Sequence, residues 1–400
     1  MSLPLEGVRI LDLTNVLAGP FCGYQLALMG AEVIKVEVPG SGDLARQLGA
    51  DPALNKAHMG ASFLAQNAGK KSITLNLKAP RGQEIFRRLL ATADVLLENF
   101  RPGVMERLGL GYEALRQDKP DLIYCAISGF GQDGPLRDNP AYDQIIQGLS
   151  GVMSVTGDEK TAPLRVGYPV CDTVGGLTAA FAVASALYGR AATGEGQYID
   201  VSMLESSLVT LGWQVSNWLI AGVKPRPMGN ENMTASPSGT FRTKDGLLNI
   251  AANKQEQFEE LCVLVGRPEL ANDPRFAERE TRKRNRYLLR DELEQALASR
   301  DAKEWEQLLN EAGVPAGRVL SVPEVLEHPQ IRYRGVVRAF DAVPGVNHAV
   351  AVVRGGFKLS GGEVGAATPP PTLGADTEAI LRDLGYDDRT IAELREAKTI

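Results

Sequence analysis

The sequence predicts an α/β protein: a doubly wound, Rossmann-like large domain with a second, smaller α+β domain. Three observations predict it. Short apolar runs alternate with helix-like stretches over the first 200 residues, which is the pattern of βαβ units around a parallel sheet. The texture then changes at KPRPMGNENMTASPSG (224–239), a Pro/Gly/Asn-rich loop followed by charged amphipathic helices. Strand-like runs return near residue 330. The expected division is therefore 1–225 with 326–400 for the large domain, and 226–325 for the small one.

The elements follow in order. VRILDLT (8–14) reads as a buried strand, GPFCGYQLALMG (19–30) as a helix, and AEVIKVEV (31–38) as a second strand. SITLNL (72–77) is a third strand, and Pro80 opens a helix through Leu90, since Pro is tolerated in a first turn. ADVLLENF (93–100) and DLIYCAISGF (121–130) continue the strand series. An Ala-rich helix is expected over 173–190, a strand at QYIDVSML (197–204), and one long helix through Gly222. In the small domain GTFRTKDGLLNIAA reads as a hairpin about Lys244-Asp245-Gly246. Helices are expected at 254–265, 284–299 and 302–312. GVVRAFDAV and NHAVAVVRG read as strands. The tail GADTEAILRDLGYDDRTIAELREA reads as two short helices, capped first by Asp376 or Thr377 and packed back on the large domain.

Composition narrows the function classes. The net charge of −6 argues against a nucleic-acid protein, whose domains carry a basic excess. Cys22, Cys125, Cys171 and Cys262 form no CxxC pair, so free thiols in a reducing cytoplasm are expected. The start MSLPLEGVRILDL lacks the pattern of a secretion signal. The longest apolar helix candidate, about 177–188, is too short for a bilayer, so no membrane is expected. The only histidines, His58, His328 and His348, lie far apart, which supplies a metal site or Ser–His–Asp triad poorly. No GxxxxGK[ST] and no evident metal cluster occur.

Two local signals compete with blander readings. SGFGQDGP (128–135) contains a formal GxGxxG at Gly129, Gly131 and Gly134, but Pro135 and LRDNPAYD follow in place of the helix that should receive a pyrophosphate. It reads as a flexible glycine loop. In GYPVCDTVGG (167–176), Asp172 precedes a long apolar helix. Taken locally it is a helix cap. The same position holds a carboxylate ionised through the helix dipole, which suits a nucleophile. Gly175 and Gly176 leave room for a bulky acyl group.

The ordered segments LDLTNVLAGPFC, AEVIKVEVPGSGD, NAGKKSITLNLK, DVLLENFRPGVMERLGLGYE, SGFGQDGP, AYDQIIQGLSG, YPVCDTVGG, TGEGQYIDVSM and LGADTEAILRDLGY resemble the class III (family III) CoA-transferases over nearly the whole chain. The resemblance implies double displacement. Asp172 attacks the donor thioester to give a mixed anhydride, released CoA converts it to an aspartyl-CoA thioester, and the acceptor carboxylate reverses the sequence. That mechanism implies need of neither ATP nor a metal, which fits a chain without a phosphate-binding GxxxxGK[ST] or an evident metal cluster. It implies CoA, as an acyl-CoA substrate, held by Val16, Leu17, Ala18, Leu75, Lys78, Asn99, Phe100, Arg107, Tyr142 and Met203. Gly229 and Asn230 are the candidate lid over Asp172, and Arg46 and Arg101 the candidates for a remote carboxylate. An interlocked homodimer is implied as well.

The stretch from AYD to TGEGQYIDVSM is most similar to members that pair succinyl-CoA with a dicarboxylate such as glutarate, itaconate or mesaconate. Some formyl-type members carry Gln at the place of Leu17 and a basic residue at that of Val38, so this chain departs from them there. The same fold hosts acyl-CoA α-carbon racemases, whose catalytic His stands where this chain has Tyr142, beside Asp143. A phenol with an ordinary pKa near 10 is a poor base at neutral pH, which favours transfer. A non-catalytic CoA-binding protein of the same fold is the third reading.

Overall fold

A computed structural model describes residues 3–400. Six strands, β1 (Arg9–Asp12), β2 (Glu32–Glu37), β3 (Lys71–Thr74), β4 (Val95–Glu98), β5 (Ile123–Ser128) and β6 (Gln197–Ser202), pair in parallel in the order β3-β2-β1-β4-β5-β6. That is the strand order of doubly wound dinucleotide-binding sheets, whose order reverses between β1 and β4. The apolar runs are near-continuous because both faces are covered: every residue of β4 and β5 is buried.

Successive residues feed opposite faces, as a two-residue period requires. Leu11, Ile34, Ile73 and Leu96 pack under Ile85, Phe86 and Leu89 of the Pro80–Leu90 helix. Ile10, Val33, Val95 and Leu97 pack under Cys22 and Leu26 of the Ala18–Leu28 helix and Ala179 and Val183 of the Val170–Thr193 helix. The tail helices Thr377–Asp383 and Asp388–Glu396 place Ile380, Leu381, Ile391 and Leu394 on the first of these faces. Asp376 stands at the first helix's N-cap position, yet its carboxylate accepts from Ser72 N at 2.8 Å and thereby ties the tail to β3.

Several elements differ from expectation. The strand expected over 8–14 is regular only to Asp12, and the rest forms the turn that enters the site. The Ala-rich helix runs 24 residues, Val170–Thr193. That length and composition suffice to cross a bilayer, so the exclusion based on a shorter helix fails. Gly175, Gly176, Ala179, Val183 and Ala186 of this helix are buried within the protein, as in a core helix. The long helix expected through Gly222 is two, Met203–Thr210 and Trp213–Ala221, broken at Gly212, whose φ of +48° only glycine accepts readily. The strands near 330, Val337–Phe340 and Val350–Val353, pair antiparallel with each other as a separate hairpin.

The chain divides into two compact units. The first comprises residues through Val152, Arg165–Val223 and Arg332–Ile400; the second comprises Met153–Leu164 and Lys224–Ile331. The second unit differs from the expected 226–325 in running from Lys224 to Ile331 and in taking in the 153–164 segment, where Gly229 N donates to Gly157 O at 2.7 Å. Its antiparallel sheet, β7 (Ser238–Arg242), β8 (Leu247–Ala251) and β9 (Ala316–Arg318), packs Phe241, Leu248 and Ile250 against Phe258, Leu261, Leu293 and Trp305.

Candidate active site

The crevice beyond the carboxyl ends of β1 and β4 is where such sheets bind ligands. Two turns meet there. Asn15 N donates to Asn99 Oδ1 at 2.8 Å, and Asn99 Nδ2 donates back to Asn15 O at 2.9 Å. Val16 follows with φ +69°, an outlier for a β-branched residue. Asp43 holds it there, accepting from Val16 N at 2.9 Å and Ala45 N at 2.8 Å through Oδ1. Lys35 pairs with the other Asp43 oxygen at 2.9 Å and donates to Thr14 O at 2.7 Å.

The turn thus rests on buried charge. Lys70 pairs with Asp12 at 2.8 Å, and Arg46 with Glu37 at 2.7 Å, where Ser72 Oγ also donates. Burial opposes ionisation of Asp12, Glu37, Lys35 and Lys70. Opposite partners nonetheless lower Asp12 and Glu37 and raise Lys35, whereas burial prevails at Lys70 and lowers it. This corrects the role expected for Arg46. It is fully buried, its guanidinium occupied by Glu37 and by the carbonyls of His58 and Pro371, and it is not open to a substrate carboxylate.

Asp172 does not cap its helix. The Val170–Thr193 helix has Pro169 at its N-cap and no side-chain cap bond there, and Asp172 sits in the first turn. Asp143, from the start of the Asp143–Leu149 helix, supplies the missing acceptor. Its Oδ1 accepts from Cys171 N at 2.8 Å and Asp172 N at 3.4 Å, and its Oδ2 from Gln147 Nε2 at 2.6 Å. Asp172 is half-buried; burial and then the Asp143 charge push its carboxyl up to about 7. Both causes oppose the ionisation that the helix start was expected to favour.

The two glycines also serve another purpose than acyl access. A Cβ on Gly176 would stand 2.5 Å from Ala18 O, and one on Gly175 would stand 3.0 Å from Met203 Cγ. They let the helix lie close on the first βα turn and on Met203.

Two cavities flank the crevice. The one holding Asp172, about 320 Å³, is lined by Val16, Leu17, Ala18, Asn99, Phe100, Arg101, Tyr142 and Met203 among the residues expected. Asp172 is its only lining carboxylate, and Arg101 and Arg137 are its cations. The other, about 660 Å³, opens over β1, β2 and β3 and takes in Leu75, Lys78 and Phe100. Asn15 and Phe100 line both.

Arg107 lines neither cavity; it is exposed beside Gly103. Gly229 and Asn230 belong to the second unit, where they line a groove with Asn249 and Asn310. Polar lining residues that sequence reasoning did not single out include Asn15, Arg137 and Lys398. Asn15 adjoins the expected VLA turn, Arg137 lies in the loop before AYD, and Lys398 carries no local signal at all.

The glycine loop after β5 meets no helix before Asp143–Leu149, so it forms no dinucleotide turn; Gly131 N donates to Ser128 Oγ instead. All four cysteines are buried and free. Among the described residues no cluster of three His, Cys, Asp or Glu is placed to hold a metal ion.

The sequence profile described as CoA-transferase family III matches residues 5–377. The chain is 39% identical to a succinyl-CoA:glutarate CoA-transferase of Mus musculus over 399 residues, 98% of this chain and 89% of that protein. It is 42% identical to an acetyl-CoA:oxalate CoA-transferase of Acetobacter aceti over 84% of this chain and 85% of that one. A solved CaiB/BaiF family protein from Brucella suis superposes with a TM-score of 0.84 at 35% identity, covering 96% of this chain and 100% of that one.

Proposed function

The chain belongs to CoA-transferase family III and is a CoA-transferase; from this premise we propose that it moves CoA from succinyl-CoA to a small dicarboxylate, with Asp172 as covalent nucleophile. The observation that carries the residue assignment is the placement of Asp172 as the one carboxylate in a cavity that shares two lining residues, Asn15 and Phe100, with a larger cavity over β1–β3. A thioester would lie at the first, and the nucleotide of CoA in the second. The dicarboxylate reading rests on the relatives, whose named acceptors, glutarate and oxalate, are both dicarboxylates. It also rests on Arg101 and Arg137, since guanidinium forks match carboxylate geometry.

In the proposed reaction an Asp172 oxygen attacks the succinyl thioester carbon. The carbon–sulfur bond breaks, CoA leaves as thiolate, and an aspartyl succinyl anhydride remains. The thiolate attacks the aspartyl carbonyl, releasing succinate and leaving aspartyl-CoA. The acceptor carboxylate attacks that thioester, and the expelled thiolate then takes the acceptor acyl group and frees Asp172. Each step exchanges one anionic leaving group for another, so no proton or hydrolysis balances the cycle. The ionised form of Asp172 is required at its start. We place the reaction in the cytoplasm, in keeping with four free thiols, and in a homodimer of interlocked chains.

The test mixes the enzyme with succinyl-CoA and a panel of glutarate, itaconate, mesaconate and oxalate. New acyl-CoA should form in step with released succinate, and hydroxylamine should trap a hydroxamate at Asp172. Near-normal transfer by Asp172→Ala would overturn the nucleophile assignment.

A further inference from the structure

We propose that Lys398, together with Lys78, forms the site for the 3′-phosphate of CoA; the inference rests on the CoA-transferase reading above. Lys398 has φ +54°. It stands just past the Asp388–Glu396 helix, whose last turn is closed by Lys398 N donating to Arg395 O at 3.0 Å and Thr399 N to Leu394 O at 2.9 Å. Glycine is the usual occupant of that position. For a residue with a Cβ, left-handed backbone costs roughly 1–2 kcal/mol. The two backbone bonds would form equally with glycine there, so they do not account for a lysine; Lys398 makes no ion pair among the described residues, which leaves its ammonium open to a ligand.

The tail places the ammonium stem at a cavity. Thr399 is buried, and its carbonyl accepts from Asn76 N at 2.8 Å. Ile400 packs on the core beside it. Asn76 Oδ1 in turn accepts from Lys78 N at 3.1 Å. Lys78 and Lys398 therefore flank one backbone hydrogen bond, and both line the 660 Å³ cavity. The remaining lining is mainly apolar, and its only side-chain carboxylate, Glu37, is paired with Arg46. Two lysines without ion pairs among the described residues suit a dianionic phosphate monoester.

Position within the sheet selects which phosphate. Lys78 follows β3, the edge strand, two strands from β1 at about 4.8 Å each. Asp172 lies past the opposite flank of β1, and the two cavities meet only at Asn15 and Phe100. With the thioester at Asp172, the far end of CoA is its adenosine 3′-phosphate.

The experiment compares binding of CoA and 3′-dephospho-CoA to the full chain by calorimetry. Wild type should prefer CoA. Lys398→Gly should reduce that preference about tenfold, the size of one charge-assisted contact, and Lys398→Arg should retain it. Glycine accepts φ +54°, so the melting temperature of Lys398→Gly should stay level or rise, which separates lost binding from lost folding. An unchanged preference in Lys398→Gly overturns the proposal. Equal weakening of both nucleotides also overturns it, because that places the lysine at the pyrophosphate. If wild type binds neither nucleotide, the CoA-transferase reading itself falls.

Discussion

Asp172 sits in the first turn of a helix, whose dipole favours its charge, while burial and the Asp143 carboxylate push its carboxyl up to about 7. The nucleophilic role proposed for Asp172 requires its ionised form, so under that proposal transfer should rise with pH through about 7. Asp143→Asn keeps an oxygen for Cys171 N but removes the neighbouring charge. It should move that rise down by roughly one pH unit, within the range of shifts caused by a like charge; the pH profile of succinyl-CoA turnover checks it. An unmoved profile would leave burial as the sole cause.

Glu98 is a second such residue. It is buried at the end of β4, accepts from Phe100 N at 2.8 Å, and is pushed up to about 8, by burial first. Its folded value exceeds the ordinary 4.5, so the folded state holds the proton more tightly than the unfolded one. Stability should therefore be full below about 4.5 and fall as pH rises to about 8. Glu98→Gln should flatten this part of the melting-temperature profile and gain on wild type most at pH 8.

Among the elements, the Val170–Thr193 helix shows how a site is built by close approach. Gly176 faces backbone, Ala18 O, whereas Gly175 faces the flexible Met203 side chain. Gly176→Ala should therefore cost more, about 1–3 kcal/mol as an overpacked contact, and should also lower turnover by displacing the VLA turn. Gly175→Ala should cost less. Denaturant melts of both variants test the order. The strands of the main sheet were legible because apolar runs of the right length announce them, and so were the tail helices with their periodic Ile and Leu. The first-turn residues Val16, Leu17 and Ala18 were singled out through resemblance, and they line the cavity that holds Asp172. What escaped depends on partners distant in sequence. Arg46 reads as a partner for a substrate carboxylate until Glu37 is seen beside it, Asp143 as a bystander until it accepts from another helix's first turn, and Lys398 as a tail residue until Thr399 meets Asn76. No local period encodes such pairings.

For the molecule as a whole, the surface of the first unit asks for a second copy. The Trp213–Ala221 helix, WQVSNWLIA, has no buried residue in the single chain, although a helix apolar on most sides belongs in an interior. Ile220 is 85% exposed and Leu219 74%. On the Val170–Thr193 helix Phe181 is 76% and Tyr188 85% exposed, while the opposite side of that helix is buried. Burying each such side chain is worth about 1.5–3 kcal/mol, and four of them exceed what a monomer leaves in water without cause. The sequence resemblance implies an interlocked homodimer, and these residues supply a physical reason for association. Sedimentation should give twice the chain mass at micromolar concentration. Phe181→Asp combined with Ile220→Asp places two charges where desolvation is expected, so the double variant should sediment as monomer or lose folded yield, whereas Arg389→Asp, an exposed charge on the tail helix, should leave association intact. A monomeric wild type would show that these apolar side chains remain in water and that the interlocked homodimer is wrong.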